Sequence, residues 1–299
     1  MPLKLWVSTD GNFDTTASWS PTGVPATDDT VLFSVDHGGT NQALTAGTDQ
    51  TAKNFAVVRW DSSFTAATAS SGTPFQCTAD KLIFRGGGDW FFDEENSGAN
   101  AETTDMVIIE SAFGKKIELQ GDTIDKLFVL DGTVALSISN LTELFMVPSS
   151  GPTHIGNPRV NMSGTASAFN LFMTGGVYDN RNGSSGGAGT PTNVFMFGGR
   201  HEVTSAQAGY TDVYLFGGSY FNLGKTASAV TNREIAGNLV VMGGEFDYSD
   251  FAGFVFGMDT GEDIYIGRPG AVRRRTDQTP ITEIVPTGDV LFEGRSRVD

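Results

Sequence analysis

The amino-acid sequence predicts an all-β fold: a parallel, right-handed β-helix, or β-solenoid, of coils about 23 residues long behind an irregular N-terminal cap. Four segments read as copies of one another: Asn170-Leu-Phe-Met-Thr-Gly-Gly176, Asn193-Val-Phe-Met-Phe-Gly-Gly199, Asp212-Val-Tyr-Leu-Phe-Gly-Gly218 and Asn238-Leu-Val-Val-Met-Gly-Gly244. A polar residue, a β-prone run of four and a Gly-Gly pair recur at the spacing of a stacked repeat. Weaker copies start at Lys81, Asp105, Lys126, Glu143 and Asp263, and the steps between the nine starts are uneven. Composition agrees. The 299 residues include 38 Gly and 22 Phe, and no stretch sets apolar residues at helical spacing over the length of a helix.

Residues 1–78 differ from the repeats and are the predicted cap and docking segment, with the first strands. An open stack exposes unpaired strand edges at its end, and a Trp-rich irregular segment can cover them. The stretch from Thr65 to Thr73 reads as a loop. Residues 79–268 are the predicted solenoid. In each clear run the first and third apolar positions are aliphatic or Met: Leu171 and Met173, Val194 and Met196, Val213 and Leu215, Leu239 and Val241. Side chains two apart on a strand share a face, so these are expected to stack inside the coil. The second position then faces out, and it is aromatic at Phe128, Phe145, Phe172, Phe195, Tyr214 and Tyr265. An outward aromatic row is expected to be covered by neighbouring subunits. Gly-Gly ends each clear run because a sharp corner needs positive φ, which glycine reaches without steric cost. No helix pattern follows any pair, as a phosphate-binding loop would require. Asn180–Thr192 reads as a second loop, and residues 269–299 as a C-terminal arm carrying the basic cluster Arg273-Arg274-Arg275.

Within the cap, Gly11-Asn12-Phe13-Asp14, Trp19-Ser20-Pro21, Gly23-Val24-Pro25 and Asp28-Asp29-Thr30-Val31-Leu32-Phe33 follow in order. The segment resembles the opening of many bacterial and phage β-solenoid proteins, where Trp-Ser-x-x-Gly-x-Val-Pro and Asp-x-Val-x-Phe lead into the first coils. The resemblance spans Trp6 to Phe33 and implies a capping segment rather than an activity. With it, the expected function is non-enzymatic. The chain reads as a virion protein made in the host cytoplasm: a homotrimeric capsid decoration or cement protein, or a head or tail fibre component. Its expected partners are its own copies, the major capsid or another virion protein, and surface glycans as a further candidate. Trp6, Trp19, Arg273, Arg274 and Arg275 are the candidate docking residues, and no cofactor is expected.

Other properties fit this expectation. A formal charge of −16 disfavours nucleic acid and anionic membranes as partners. The opening Met1-Pro-Leu-Lys-Leu-Trp6 carries no export signal, and no apolar run reaches the ~18 residues of a spanning helix. A single Cys77 excludes an intramolecular disulfide. The first alternative is a tailspike-like polysaccharide lyase or hydrolase, which needs carboxylates converging on one face. Asp89, Asp93, Glu94, Glu95, Asp179, Glu202, Glu245, Asp247 and Asp250 are the candidates, with solvated outward positions as the plainer account of them. An adhesin is the second alternative, and it would require export. His37, His154 and His201 are too scattered for a zinc site or a catalytic triad and read as surface or interface residues.

Overall fold

The computed structural model describes residues 1–34, 44, 46–47, 49–61, 75–85, 90–94, 104–110, 116–150, 156–162, 167–180, 190–202, 209–222, 232–247, 255–258, 264–267, 271–273, 290–292 and 297–298. Among them the regular structure is strand apart from a 3-10 turn at Thr16–Ser18, and successive strands pair in parallel as the coils of a β-solenoid. The chain divides into two compact units, Met1–Leu141 with Ser149–Pro158, and Thr142–Pro148 with Arg159–Asp299.

In the first unit Val31, Val58, Leu82, Val107 and Leu127 lie in register, one per coil, at uneven intervals along the chain. They are buried, as are Phe33, Trp60, Phe84, Ile109 and Val129 two residues further on. The residues between them, Leu32, Arg59, Ile83, Ile108 and Phe128, are only half-buried, as the period of two requires. The start of this interior is closed by rings. Trp6 meets Trp19 edge-on at 5.1 Å, Phe13 meets Trp19 at 4.9 Å, and Phe33, Trp60 and Phe84 stack at 5.5 and 4.6 Å. The Trp19 indole Nε1 donates to the Phe13 carbonyl at 2.7 Å, so its one polar group is satisfied on burial. This corrects the reading of Trp6 and Trp19 as docking residues. They are 0% and 1% exposed, and side chains that cover the end of the apolar column have no surface left to offer a partner.

In the second unit the corresponding column is Leu144, Leu171, Val194, Val213, Leu239, Ile264 and Val290, again one residue per coil and unevenly spaced in sequence. The predicted interior is observed: Leu144 to Leu239 in that column, and Met146, Met173, Met196, Leu215 and Val241 beside them, are buried without exception. Each such side chain contributes on the order of 1.5–3 kcal/mol through removal from water. A second stack of strands places Val160, Tyr178, His201, Phe221 and Phe246 inside, in register one coil apart. A short third stack, Gly209–Tyr210, Asn232–Ile235 and Val255–Met258, contributes the buried Tyr210 and Ile235. The ladders continue past residue 268. Ala271–Arg273, Val290–Phe292 and Arg297–Val298 pair in parallel with the coils before them, so these residues are rungs and not a separate arm.

The Gly-Gly pairs are corners between the first and second stacks. Gly176, Gly199, Gly217 and Gly243 have φ of +84°, +86°, +59° and +93°. At Gly199 a Cβ would sit 2.8 Å from the Gly175 carbonyl carbon and 2.9 Å from the Gly176 oxygen, so the coil below also forbids a side chain there. The predicted loop at Thr65–Thr73 lies outside the described residues. Of Asn180–Thr192, Asn180 and residues 190–192 are described, and the latter open the strand Thr190–Glu202.

Candidate functional site

The front face of the second unit, formed by the first stack, carries three outward columns, because positions 143, 145 and 147 and their equivalents in later coils share one side of the strand. The middle column contains the predicted row. Phe145, Phe172, Phe195 and Tyr214 are half-buried and stack at 4.9, 5.0 and 5.1 Å between centroids, with planes within 10° of parallel. Val240 and the half-buried Tyr265 follow in register. Phe128 occupies the matching outward column of the first unit, in register with Ile108 and Ile83.

Sequence reasoning missed the column two residues further on. There Phe197 is 57% exposed and stacks on Phe216 at 5.1 Å, with Val147 and Met242, each 40% exposed, at equivalent positions. The signal was present: each residue lies at the aromatic position plus two, and so must share its face. The third column, on the other margin, is polar: Glu143, Asn170, Asn193, Asp212 and Asn238. Asn193 Nδ2 donates to Asn170 Oδ1 at 2.8 Å, and the Asn238 backbone N–H and Nδ2 both donate to Asp212 Oδ1 at 2.7 and 3.1 Å. The strip is largely apolar and aromatic, interrupted by the exposed Thr174 in its outer column, and is bounded on one side by a margin of two carboxylates and three amides. Stacked ring faces are occupied by one another, so the rings present mainly their edges to a partner. That geometry suits packing against apolar side chains better than stacking of a sugar ring.

The second stack has a different outward surface. Asp179, Glu202, Asn222 and Asp247 align in one column, one per coil, which brings together three of the predicted carboxylates. Each of the three is engaged. Arg159 Nη2 donates to Asp179 at 3.1 Å, Arg200 pairs with Glu202, and the Tyr220 hydroxyl donates to Asp247 at 2.7 Å. The Arg200 guanidinium also lies over the Tyr220 ring, 4.9 Å from its centroid. Burial, followed by the hydrogen bond to Asp247, pushes the Tyr220 phenol up to about 12. Three of these contacts join neighbouring coils, so the network pegs the stack together. Among the described residues no group of three or more His, Cys, Asp or Glu is arranged to hold a metal ion.

The remaining candidates are dispersed or undescribed. Asp93 and Glu94 lie in the strand Trp90–Glu94, and Glu245 in Glu245–Asp247; Asp89, Glu95, Asp250, His37, His154, Arg274 and Arg275 lie outside the described residues. Arg273 pairs in register with Asp247. His201 corrects its reading as a surface or interface residue: it is fully buried inside the coil, with ring centroids 4.9 Å from Tyr178 and 4.5 Å from Phe221. No family model matches the chain, nor does any curated protein or solved structure.

Proposed function

We propose that the chain is a non-enzymatic structural protein, a homotrimeric decoration, cement or fibre component of a phage particle, whose copies cohere through the front aromatic strip. The observation that carries the reading is the pair of stacked ring columns open on one face. Apolar area left in water at this density gains about 25 cal/mol per Å² on being covered, and identical copies supply an identical surface. The phage setting rests on the resemblance of the segment Trp6–Phe33, and the trimer on the need to close such an interface around an axis.

The test is the triple change Phe172→Ser, Phe195→Ser and Tyr214→Ser. The wild-type protein is expected to run as an oligomer by light scattering and to co-sediment with empty phage heads. The variant is expected to run at the monomer mass with its β circular-dichroism signal intact. A wild-type protein that is monomeric and ignores heads sinks the proposal. The alignment of Asp179, Glu202 and Asp247 favours a second reading, a polysaccharide-cleaving enzyme. Release of reducing ends or unsaturated uronates from bacterial polysaccharide, abolished by Asp247→Ala, would support that reading instead.

A further inference from the structure

We infer that the second unit carries an acid-operated switch in its interior: His201 is held there as the neutral imidazole, and the proton it takes up in acid favours the open coil over the closed one. The inference concerns the stability of one unit and does not depend on the assembly reading above.

His201 is 0% exposed and lies on the inward face of the strand Thr190–Glu202. The coils on either side place Tyr178 and Phe221 in register with it, and Val160 and Phe246 extend the same column. The rings of Tyr178, Phe221 and Tyr210, the last from the third stack, have centroids 4.9, 4.5 and 5.9 Å from that of the imidazole. Two of them are phenols. Burial, followed by charge repulsion from Tyr210 and Asp179, pushes the Tyr178 phenol well above its ordinary value, so it supplies no anion near neutral pH. The carboxylates of these strands are turned the other way. Asp179, Glu202 and Asp247 occupy the outward column, where Arg159, Arg200 and the Tyr220 hydroxyl engage them. The inward residues of the first stack in the same two coils are Val194, Met196, Val213 and Leu215, and the third stack adds Ile235.

A protonated imidazole at this place exchanges full hydration for ring faces and aliphatic carbons. Contact of the cation with the three rings returns only part of that hydration, and the carboxylates of the same strands are committed to groups on the other face. The unfolded chain takes the proton near an ordinary histidine value of about 6.5 without that loss. The stability tied to the neutral ring is therefore complete above about pH 6.5 and is lost as pH falls below it, because the open state binds the proton and the closed one does not. Histidine is the side chain whose ordinary range makes such a device work at mild acidity. The strand that buries His201 also carries Phe195 and Phe197 on the front face, so the proton acts on a coil that forms the middle of the aromatic strip.

The test compares the full wild-type chain with His201→Phe, a side chain that the same column already buries at Phe221 and Phe246. Urea denaturation followed by circular dichroism is run at pH 7.5 and at pH 5. With an unfolded-state value of about 6.5 and no proton uptake by the closed coil, the unfolding equilibrium constant of the wild type is expected to rise about thirtyfold more than that of the variant. His37, His154 and the carboxylates are common to both proteins, so their contributions cancel in the comparison. Equal rises overturn the switch. A second measurement uses the wild type alone and so does not depend on the folding of the variant. The chain has three histidines. With carbon-13 in the imidazole rings, the folded protein is expected to show one ring signal that keeps its neutral position from pH 8 down to pH 5.5. Three signals that all titrate with midpoints near an ordinary value of about 6.5 overturn the proposal.

Discussion

Two alanine substitutions in neighbouring Gly-Gly corners are expected to have opposite effects. Gly199 sits at φ +86°, where an L side chain costs about 1–2 kcal/mol from its own backbone. Its Cβ would also press on backbone atoms of Gly175 and Gly176 at 2.8–2.9 Å, contacts that no rotamer change relieves. Overpacking of that kind adds about 1–3 kcal/mol. Gly199→Ala is therefore expected to cost about 2–5 kcal/mol in total. Gly218 is the last residue of the next Gly-Gly pair, yet its φ is not in the positive region and a Cβ there meets nothing within 4 Å. Gly218→Ala restricts the unfolded chain without straining the folded one and should be neutral or stabilising, by at most about 1 kcal/mol. Urea denaturation followed by circular dichroism, at one protein concentration and with unchanged slope, reads both values. Equal destabilisation by the two changes would refute the assignment of the turn to Gly199 in one coil and to Gly217 in the next.

Two further substitutions address the outward columns. Asn238 donates down the polar column to Asp212, and Asn193 donates down to Asn170, but a carboxylate at 212 has no proton to pass on, and Asn193 Oδ1 is buried with no hydrogen-bond partner. Asp212→Asn completes the ladder and should raise stability by about 0.5–1.5 kcal/mol in the same urea assay; no change or a loss would show that the break does not matter. Tyr220 titrates near 12 in the folded protein against 10.0 for an ordinary phenol. Its contribution is complete below pH 10, where both states hold the proton, and is lost as pH rises toward 12, because the unfolded chain releases the proton first. The urea midpoint of the wild type should thus fall further between pH 9 and pH 11.5 than that of Tyr220→Phe, and parallel falls would contradict the Asp247 contact.

The interior of the first stack was legible because alternation survives within a run of four residues: Leu171 in, Phe172 out, Met173 in. The corner was legible as well, since only glycine suits a repeated positive φ. Past the corner the sequence stops being readable by parity. Met196 and His201 both point inward although an odd number of steps separates them, and alternation alone would have turned His201 to solvent. The next coil needs one step more for the same journey, from Leu215 to Phe221, because the strand Asp212–Asn222 carries one extra residue at its corner and the register slips there by one. Trp6 and Trp19 were misread for a related reason. Composition announces an aromatic cap, but whether its rings face the coil or a partner depends on contacts of Trp19 with Phe13 and Phe33 that only the irregular fold of the segment creates.

The same reset of phase explains why the second unit has two outward surfaces of unlike character. With Tyr178, His201, Phe221 and Phe246 fixed inside, the next residue of each strand must face out, and these are Asp179, Glu202, Asn222 and Asp247. Unequal steps along the chain hide that alignment from any fixed-period scan, yet in space it is one polar column. Arg159, Arg200 and Tyr220 engage its carboxylates, and Asp179 and Asp247 are only 5% exposed, so this surface has little to gain from being covered. The front strip is the reverse case. Its rings and the exposed Phe197 and Met242 offer no hydrogen bonds to water apart from the Tyr214 and Tyr265 hydroxyls, and every neighbour that excludes solvent from them is favoured. In the proposed assembly, association would be directed to the front strip, and the saturated polar column would mark the boundary of the contact.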